Sequence, residues 1–311
     1  MTQTLAIAIC LDKNYLQPAE TLLKSLSYHN KNVKIYALHT DVPAEWFSQI
    51  QANIAPLANQ IIAVHLHSDN PKVQAINARL ASLDLPPVPA LFGQFQSEND
   101  IRHDITQTAY YRLLLPELID EHRLVYLDCD MLINGSIQSF NDVDLGDKVI
   151  AAIDDFAIKI QGDYGYLVQE NDPIYQQFCR FKGGLFEEYF NSGVLLIDAK
   201  AWREQGICFD LLHFVKMRCN FRHHDQDILN FYFYKNWLPL SHFFNLQIEA
   251  LWRNQVPVQS VPTIIHFTGI QKPWLEQYAS LTEFHNYYHV YQQMTWDDVR
   301  EQRLKVINEL T

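Results

Sequence analysis

The first part of the chain alternates two kinds of apolar pattern. Short, nearly continuous apolar runs are typical of buried strands, and the segments between them space their apolar residues as amphipathic helices do. Strand, helix and strand in succession predict a parallel sheet with helices on its faces. The predicted strands are LAIAIC (Leu5–Cys10), VKIYAL (33–38) and IIAVHL (61–66), and the predicted helices cover 18–29 and 44–58, the second one broken near Pro56.

The alternation stops between residues 68 and 103. This segment contains one helical pattern, VQAINARLASL (73–83), and then the proline-rich stretch DLPPVPALFGQFQSEND (84–100), which is predicted to be a loop. Long loops of α/β proteins often form a lid or a binding element, whereas others are plain surface insertions. A lid would close over a bound molecule and form part of a neighbouring site, and a plain insertion would only cover the sheet edge. Both interpretations remain open at this point.

The rest of the chain returns to strands and helices in a less regular order. A helix is predicted over 106–118, and the apolar run after it ends at Asp128. Internal repeats and low-complexity tracts are absent from the sequence. Further strands are predicted at 148–153, 189–198 and 263–267, and further helices at 199–205, 209–219, 224–234 and from 282 onward.

Composition and charge narrow the class of protein. The 311 residues are 48% hydrophobic and 19% charged, a balance typical of globular proteins with a sizeable core. Lysine and arginine number 24 against 36 aspartates and glutamates, so the formal net charge is −12. This charge argues against nucleic acid as a partner, because that binding depends on neutralising phosphates.

The sequence also predicts the cellular compartment of the protein. No apolar stretch reaches the roughly 20 residues of a membrane span, and the opening MTQTLAIAICLDKNY is interpreted as a first strand and not as a secretion signal. The 5 cysteines are scattered, without a C-x-x-C pair. They predict reduced structural thiols in a cytoplasmic protein and argue against a zinc site.

Two aspartates follow an apolar run in the stretch RLVYLDCDML. An isolated buried carboxylate is costly, so Asp128 and Asp130 need a positive partner. Ligand crevices of open α/β sheets lie beyond the carboxyl ends of strands, where two carboxylates suit a hard divalent cation, Mg²⁺ or Mn²⁺, that also binds phosphate. D-x-D alone is a weak signal, since 142–144 and 225–227 also carry it. Only the first copy follows an apolar strand.

Six ordered segments give this aspartate pair a context. They are CLDKNY, TAYYRLLLPELI, RLVYLDCDMLI, YFNSGVLLID, HHDQDILN and IIHFTGIQKPW. Through them the chain resembles glycosyltransferase family 8 from residue 5 to 274, except over 68–103. This family comprises retaining nucleotide-sugar transferases and includes bacterial lipopolysaccharide galactosyl- and glucosyltransferases and glycogenin. The resemblance implies a single Rossmann-like α/β domain of GT-A type, with a mixed sheet, over 1–275 and a C-terminal helical extension over 276–311.

By this resemblance the cation is Mn²⁺, with Mg²⁺ as the alternative. It is held by Asp128, Asp130, His266 and the diphosphate of a UDP-sugar. Such an ion neutralises charge on the leaving diphosphate, and Mn²⁺ tolerates an imidazole ligand better than Mg²⁺ does. Without this context, His266 would be interpreted as a hydrogen-bonded histidine at a strand end that binds no metal. The resemblance also implies a nucleotide site with the residues Cys10, Asp12, Asn14, Tyr15, Cys129, Gly269 and Lys272.

Each part of this nucleotide site also has a plainer interpretation. Tyr15 would stack on uracil and Asp12 would accept from its N–H, but CLDKNY also fits an ordinary strand-to-helix turn. Lys272 would pair with the diphosphate, which Gly269 lets the backbone approach, or it would be a solvated lysine. Cys10 departs from the family, whose members often carry a small residue there.

The resemblance assigns the sugar and the reaction centre to a third group of residues. At the reaction centre the resemblance points to Gln226, whose neutral amide is a poor nucleophile. Double displacement with retention needs a carboxylate under the anomeric carbon. We therefore favour front-face attack, in which the acceptor hydroxyl enters on the side that UDP leaves. The plainer alternatives are a helix-surface salt bridge for Arg112 and helix capping for Asp225 and Asp227. The implied sugar residues are Arg112, Asn191, Ser192, Asp225 and Gln226, and the implied catalytic residues are Gln226, Asp225 and Asp227, the last as an alternative nucleophile.

The implied activity is hexosyl transfer from UDP-galactose or UDP-glucose to a glycan acceptor, such as growing lipopolysaccharide or lipooligosaccharide. We expect a cytoplasmic protein that can work at the inner face of the inner membrane. Membrane contact should be weak at most, because the end WDDVREQRLKVINELT is mixed in charge. The donor sugar, the acceptor and the oligomeric state stay open. A metal-dependent nucleotide-sugar hydrolase or a non-catalytic binder would use the same donor site, but only a transferase needs an acceptor pocket beside it.

Overall fold

The structure is a computed structural model that describes residues 4–93, 107–156, 188–216, 223–252 and 261–309. The strands are β1 (Leu5–Cys10), β2 (Val33–His39), β3 (Gln60–His65), β4 (Arg123–Leu127), β5 (Met131–Ile133), β6 (Ile150–Asp154), β7 (Phe190–Asp198), β8 (Leu238–Pro239), β9 (Leu246–Gln247) and β10 (Ile264–His266). The helices are α1 (Leu16–His29), α2 (Ala44–Ile54), α3 (Pro71–Ser82), α4 (Val88–Gly93), α5 (Leu115–Leu118), α6 (Ala199–Glu204), α7 (Ile207–Lys216), α8 (His224–Tyr232), α9 (Ile248–Trp252), α10 (Glu283–Gln293) and α11 (Trp296–Glu309).

The larger of two sheets is mixed and has the strand order β3-β2-β1-β4-β7-β6-β8. The strands β3, β2, β1 and β4 run parallel, as the alternating pattern predicted, whereas β7 is antiparallel to β4 and β6. Parallel strands are buried on both faces because helices cover both sides of the sheet. Accordingly, β1 sends alternate side chains to two apolar clusters, Leu5, Ile7 and Ile9 to one and Ala6, Ala8 and Cys10 to the other.

The two sheets meet at the carboxyl end of β4. This strand belongs to the larger sheet and β5 to the smaller one, so the chain passes between the sheets through Asp128 and Asp130. The turn is held on both sides, because Asp128 N–H donates to Gly193 O at 2.9 Å and Phe267 N–H donates to Asp130 O at 3.0 Å. In the smaller sheet β10 runs antiparallel beside β5 and ends at His266. The topology therefore places His266 beside the aspartate pair.

The predicted strands agree with the structure to within about two residues, but one predicted helix differs in kind. The region 106–118 contains a 3₁₀ helix (Gln107–Leu114) followed by the single α-helical turn α5. Pro116 explains the break, since its ring clashes with the carbonyl of Arg112 in a continuous α-helix and it has no N–H to donate. Residue 106 lies outside the described residues. The predicted break near Pro56 is confirmed, because α2 ends at Ile54 and a 3₁₀ turn follows.

The prediction of a loop over 84–100 is wrong in part. Residues 88–93 form α4, and Val88, Leu91 and Phe92 are buried in one of the main apolar clusters. Phe92 stacks on Tyr110 with ring centroids 5.8 Å apart. The spacing of these apolar residues is helical, and Pro89 is tolerated because it lies in the first turn. This part of the segment packs as a core element, and 94–103 lies outside the described residues.

The C-terminal helices pack on the rest of the fold. Trp296 Nε1–H donates to Glu20 Oε1 of α1 at 3.0 Å, and Tyr291 pairs with His29 at 2.8 Å. The aromatic residues of α10 are largely buried, with Tyr288 fully enclosed against the smaller sheet. Within the described residues, no helix combines the length and apolar character needed to cross a membrane.

Arg203 of α6 holds the connection between α5 and β4. Its Nη1 donates to Pro116 O at 2.7 Å and Ile119 O at 3.0 Å, and its Nη2 donates to Glu121 O at 3.0 Å. We predict that Arg203→Ala lowers the free energy of unfolding by about 2 kcal/mol, because half-buried carbonyls lose a charged donor. Urea denaturation measures this change.

The matched control is Lys200→Ala on the same helix. Lys200 lies 3.8 Å from Glu204 in an exposed pair, which should contribute less than about 0.5 kcal/mol. Equal and small losses in both variants would show that Arg203 does not stabilise this connection.

Candidate active site

Three ligand-type side chains converge at the carboxyl end of β4. Asp128 and Asp130 follow this strand, and His266 ends β10. Their candidate ligand atoms all lie within 4.8 Å of one another. His266 Nε2 lies 3.2 Å from Asp130 Oδ1 and 3.8 Å from Asp128 Oδ2. The structure thus brings together the three residues that the sequence predicted as metal ligands.

The surroundings of this cluster suit a divalent cation. Asp130 Oδ1 is buried and makes no hydrogen bond within the part of the chain that the structure describes. Burial alone would raise the pKa of Asp130, but Lys272 and His266 hold this pKa well below its ordinary value, so the carboxylate is ionised. Neighbouring ligands of an octahedral ion with bonds of about 2.1 Å lie about 3 Å apart, close to the observed separation of Nε2 and Oδ1. Two carboxylates and one imidazole are a donor set for Mn²⁺ or Mg²⁺.

Tyr126 and Arg112 fix the orientation of Asp128. Tyr126 O–H donates to Asp128 Oδ1 at 2.6 Å, and Arg112 Nη2 lies 3.0 Å from the same oxygen. Burial raises the pKa of Tyr126, so its hydroxyl stays a donor. With Oδ1 engaged, Oδ2 is the oxygen that faces the cluster. The sequence analysis missed Tyr126, because a tyrosine inside a strand pattern predicts only packing.

Arg112 connects this cluster to the start of α8. Its side chain is 7% exposed, which shows that a surface salt bridge is the wrong interpretation. Its Nη1 donates to Ser192 O at 2.8 Å and Ser192 Oγ at 3.0 Å, and its Nε lies 2.9 Å from Asp225 Oδ2. Burial raises the pKa of Asp225 to about 7, although Arg112 opposes this shift. One guanidinium is therefore shared between two acids.

The amide of Gln226 is held by hydrogen bonds at both ends. Its Oε1 accepts from Ser192 N–H at 2.9 Å and from Ser192 O–H at 3.3 Å. Its Nε2 donates to Asp155 Oδ2 at 3.1 Å and to Tyr189 Oη at 3.2 Å. The neighbouring Asp227 is buried, accepts from Tyr189 O–H, and accepts from His223 N–H at 2.8 Å. The carboxylate of Asp227 thus reaches back to the backbone N–H that precedes α8, as in a capping box, and also accepts from a tyrosine.

Asn191 lies in the same hydrogen-bond network. Its Oδ1 accepts from Gly193 N–H at 3.0 Å and from Asn245 Nδ2 at 2.9 Å, and its Nδ2 donates to Asp155 Oδ2 at 3.1 Å. The sequence analysis missed Asp155 and Asn245. Asp155 carried the same signal as Asp128, because it follows the apolar strand β6 in IAAIDD. Asn245 carried no such signal.

The predicted base-binding corner follows β1. Asp12 Oδ1 accepts from Asn14 N–H at 2.8 Å, and Asp12 Oδ2 accepts from Thr108 O–H at 3.2 Å. Asp12 therefore caps a 3₁₀ turn, as the ordinary turn interpretation expects, and its predicted role at the base stays a prediction. The half-buried ring of Tyr15 meets Trp274 edge to face, with centroids 5.8 Å apart.

The remaining predicted nucleotide residues border the aspartate pair. Cys129 Sγ donates to Cys10 O at 3.3 Å, and burial raises the pKa of both thiols, so they stay protonated. Lys272 Nζ pairs with Asp130 Oδ2 and donates to Phe267 O at 2.7 Å, so it is not a solvated lysine. Gly269 has φ +73°, a left-handed conformation that favours glycine.

Comparison with solved structures defines the class of fold. The chain resembles the galactosyltransferase LgtC, solved in complex with donor and acceptor sugar analogs, with a TM-score of 0.67 at 23% sequence identity over 93% of this chain and 95% of that one. The protein therefore has the GT-A type fold of such glycosyltransferases. The family model of glycosyl transferase family 8 matches residues 6–278, and the chain belongs to that family.

Curated relatives agree with this assignment. The glycosyltransferase GlyF of Streptococcus pneumoniae serotype 4 is 26% identical over 304 residues, which cover 96% of this chain. The lipopolysaccharide 1,2-glucosyltransferase of Escherichia coli is 24% identical over 310 residues, 93% of this chain and 79% of that protein. The chain spans 64% of the length of GlyF, just under two thirds.

Gly193 has no side chain, and this leaves room for the side chains of His266 and Asp128. A Cβ added there would lie 2.3 Å from His266 Cε1 and 2.8 Å from Asp128 Oδ2, so both side chains would have to move. We predict that Gly193→Ala weakens Mn²⁺ binding by about tenfold or more while the protein still folds. The measurement is titration of free Mn²⁺ by electron paramagnetic resonance.

Gly135→Ala is the matched control. Its Cβ would lie 3.5 Å from Thr263 Cγ2, an ordinary van der Waals contact, so Mn²⁺ binding should not change. Unchanged Mn²⁺ affinity in Gly193→Ala would contradict the ligand assignment.

Proposed function

We propose that this protein is a retaining hexosyltransferase that moves galactose or glucose from a UDP-sugar to a glycan acceptor. The observation that carries the proposal is the convergence of Asp128, Asp130 and His266 beside the amide and acids at the start of α8. Membership of family 8 supports glycosyl transfer. The likeness to a lipopolysaccharide 1,2-glucosyltransferase supports a hexose donor and a lipopolysaccharide or lipooligosaccharide acceptor.

The ligand cluster fits Mn²⁺, with Mg²⁺ as the alternative. Bound by the two aspartates and His266, the ion would neutralise charge that develops on the diphosphate as the sugar departs. Lys272 lies beside Asp130 and supplies a second positive charge for a diphosphate oxygen. Asp12 and Tyr15, at the end of β1, supply an acceptor and an aromatic face for the base.

In this proposal the donor sugar contacts Arg112, Asn191, Ser192, Asp225 and Gln226, which belong to one network of hydrogen bonds and ion pairs. Arg112 sets the position of Asp225, whose carboxyl can hold sugar hydroxyls. Gln226 is fixed at both ends of its amide, so the orientation of this amide is set before the donor binds. This rigidity reduces the reorganisation that the reaction requires.

Retention of configuration then favours front-face attack. Double displacement needs a carboxylate nucleophile beneath the anomeric carbon, but Gln226 presents an amide. Asp227 is engaged with Tyr189 and with the backbone of His223. In the front-face route, the acceptor hydroxyl attacks on the side from which UDP leaves, and the departing phosphate takes its proton. On the sequence grounds given above, we place this reaction in the cytoplasm with weak contact to the inner membrane at most.

Metal dependence is the direct test of this function. EDTA should abolish transfer from the UDP-sugar, and added Mn²⁺ should restore it. Asp130→Asn should lower turnover by about 100-fold or more, because one ligand charge disappears while the shape stays. A radiolabelled UDP-hexose, offered with oligosaccharide acceptors, reports transfer and hydrolysis separately.

The matched control is Asp142→Asn, in a D-x-D segment that is exposed and does not follow an apolar strand. Its activity and thermal stability should equal those of the wild type. Full activity in EDTA would reject the metal assignment, and unfolding of Asp130→Asn would show that the aspartate is structural. Metal-dependent hydrolysis without transfer to any acceptor would favour a nucleotide-sugar hydrolase.

The base-binding corner predicts a preference for uridine. UDP should inhibit transfer at a concentration about tenfold lower than GDP does, because guanine leaves a hydrogen-bonding group of the pocket unmatched. Competition assays at fixed Mn²⁺ measure the two inhibition constants. Equal inhibition by both nucleotides would reject a specific uracil pocket.

A further inference from the structure

Asn245 lies between the metal-ligand cluster and the predicted sugar residues. It follows the 3₁₀ turn 242–244, directly precedes β9, and is fully buried. One end of its amide contacts His266 Nδ1 at 3.0 Å, and the other end contacts Asn191 Oδ1 at 2.9 Å. A buried amide in this position bridges two functional groups that come from different strands.

The direction of each hydrogen bond from Asn191 through Asn245 to His266 follows from one backbone group. Gly193 N–H can only donate, so the atom of Asn191 that it meets at 3.0 Å must be the amide oxygen. The amide nitrogen of Asn191 then faces Asp155 Oδ2, which as a carboxylate oxygen accepts. Because Asn191 presents its oxygen, Asn245 must present its NH₂ group there. The oxygen of Asn245 therefore faces His266.

This orientation determines the tautomer of His266. An oxygen at Nδ1 requires a proton on Nδ1, so the neutral imidazole, the form that binds a metal, carries its lone pair on Nε2. Nε2 is the nitrogen that faces Asp130 Oδ1 at 3.2 Å and the position of a cation. A reversed amide at Asn245 would favour the opposite tautomer, whose Nε2–H cannot bind a metal. Partners of this kind orient histidine ligands in metal sites generally.

We propose that Asn245 is a positioning residue, which acts through His266 to hold Nε2 ready for a divalent cation. The same side chain links His266, through Asn191 and Asp155, to the amide of Gln226. The metal ligand and the sugar-side amide thus belong to one hydrogen-bond chain. This inference rests on the metal site of the proposed function and adds a residue to it.

Asn59 provides a matched comparison outside this site. It is also a buried asparagine, and its Oδ1 accepts from Val33 N–H at 3.1 Å. Its Nδ2 donates to Ser27 Oγ at 3.3 Å and to Asn30 O at 3.1 Å. Asn59 therefore stabilises connections between elements without touching a metal ligand. A purely structural role for Asn245 would make the two asparagines equivalent in experiment.

The test compares Mn²⁺ affinity in four folded proteins by electron paramagnetic resonance of free Mn²⁺. Asn245→Leu keeps the branching at Cγ but removes both hydrogen bonds, and its Mn²⁺ affinity should fall about 10–100-fold. Asn245→Asp keeps an acceptor for Nδ1–H, so its affinity should stay within about threefold of the wild type. Asn59→Leu should lower the melting temperature and leave Mn²⁺ affinity unchanged.

Each outcome has a distinct meaning. If wild-type protein does not bind Mn²⁺, the proposed metal site fails and the inference fails with it. If wild-type protein binds Mn²⁺ and Asn245→Leu binds equally well, only the inference about Asn245 is overturned. Equal losses in Asn245→Leu and Asn59→Leu would likewise overturn it, because instability alone would then account for the effect. Should Asn245→Leu not fold, Asn245→Ser, whose shorter side chain does not reach Nδ1, replaces it with the same expectation.

Discussion

Burial of acidic side chains at the carboxyl end of β4 is the constraint on which the site depends. Such carboxylates are stable there only with positive partners, because unpaired charges are costly away from water. Lys272 pairs with Asp130, but Arg112 is shared between Asp128 and Asp225. Burial raises the pKa of Asp225, Arg112 opposes this shift, and the charge of Asp128 adds to it. A divalent cation would complete the charge balance, which explains why binding and reaction are proposed at this point.

The fold meets this constraint through its topology. The parallel strands β1 and β4 end side by side, so the turn after β1 and the aspartates after β4 share one edge of the sheet. The antiparallel strand β7 contributes Gly193, whose missing side chain leaves room for His266. The smaller sheet then carries His266 to the aspartates. The aspartates thus lie in a short turn between two strands and His266 ends a third, and this attachment to strands positions side chains more rigidly than a free loop does.

Much of this arrangement was accessible from the sequence. The strands β1, β2 and β4 were predictable because continuous apolar runs report burial on both faces, whereas the edge strand β3 has an apolar run although one of its faces is partly exposed. The aspartate pair was predictable because it directly follows the apolar run of β4. Asp155 follows another run and could have been found by the same rule. The 3₁₀ helix before Pro116 was missed, since the apolar pattern there also fits an α-helix. Helix α4 was missed because its flanking prolines favour a loop prediction.

The hydrogen-bond partners could not have been predicted in this way. Asn245 and Arg112 act through contacts with residues far away in the sequence, and local patterns carry no information about such pairs. Tyr126 contacts Asp128 only two residues further along, but the strand pattern does not show which partner its hydroxyl takes. Asn245 lies between two short elements without any regular pattern. Its importance becomes visible only when the direction of each hydrogen bond is followed from Gly193 to His266.

Asp128, Asp130 and His266 are proposed to hold a divalent cation together with a nucleoside diphosphate. Anomalous diffraction at the manganese edge, from crystals grown with Mn²⁺ and UDP, shows whether they do. We expect one strong anomalous peak within bonding distance of Asp128 Oδ2, Asp130 Oδ1 and His266 Nε2, with the diphosphate beside it. Bound UDP without a manganese peak at these atoms, or a peak on other residues, would show that these three residues do not form the metal site.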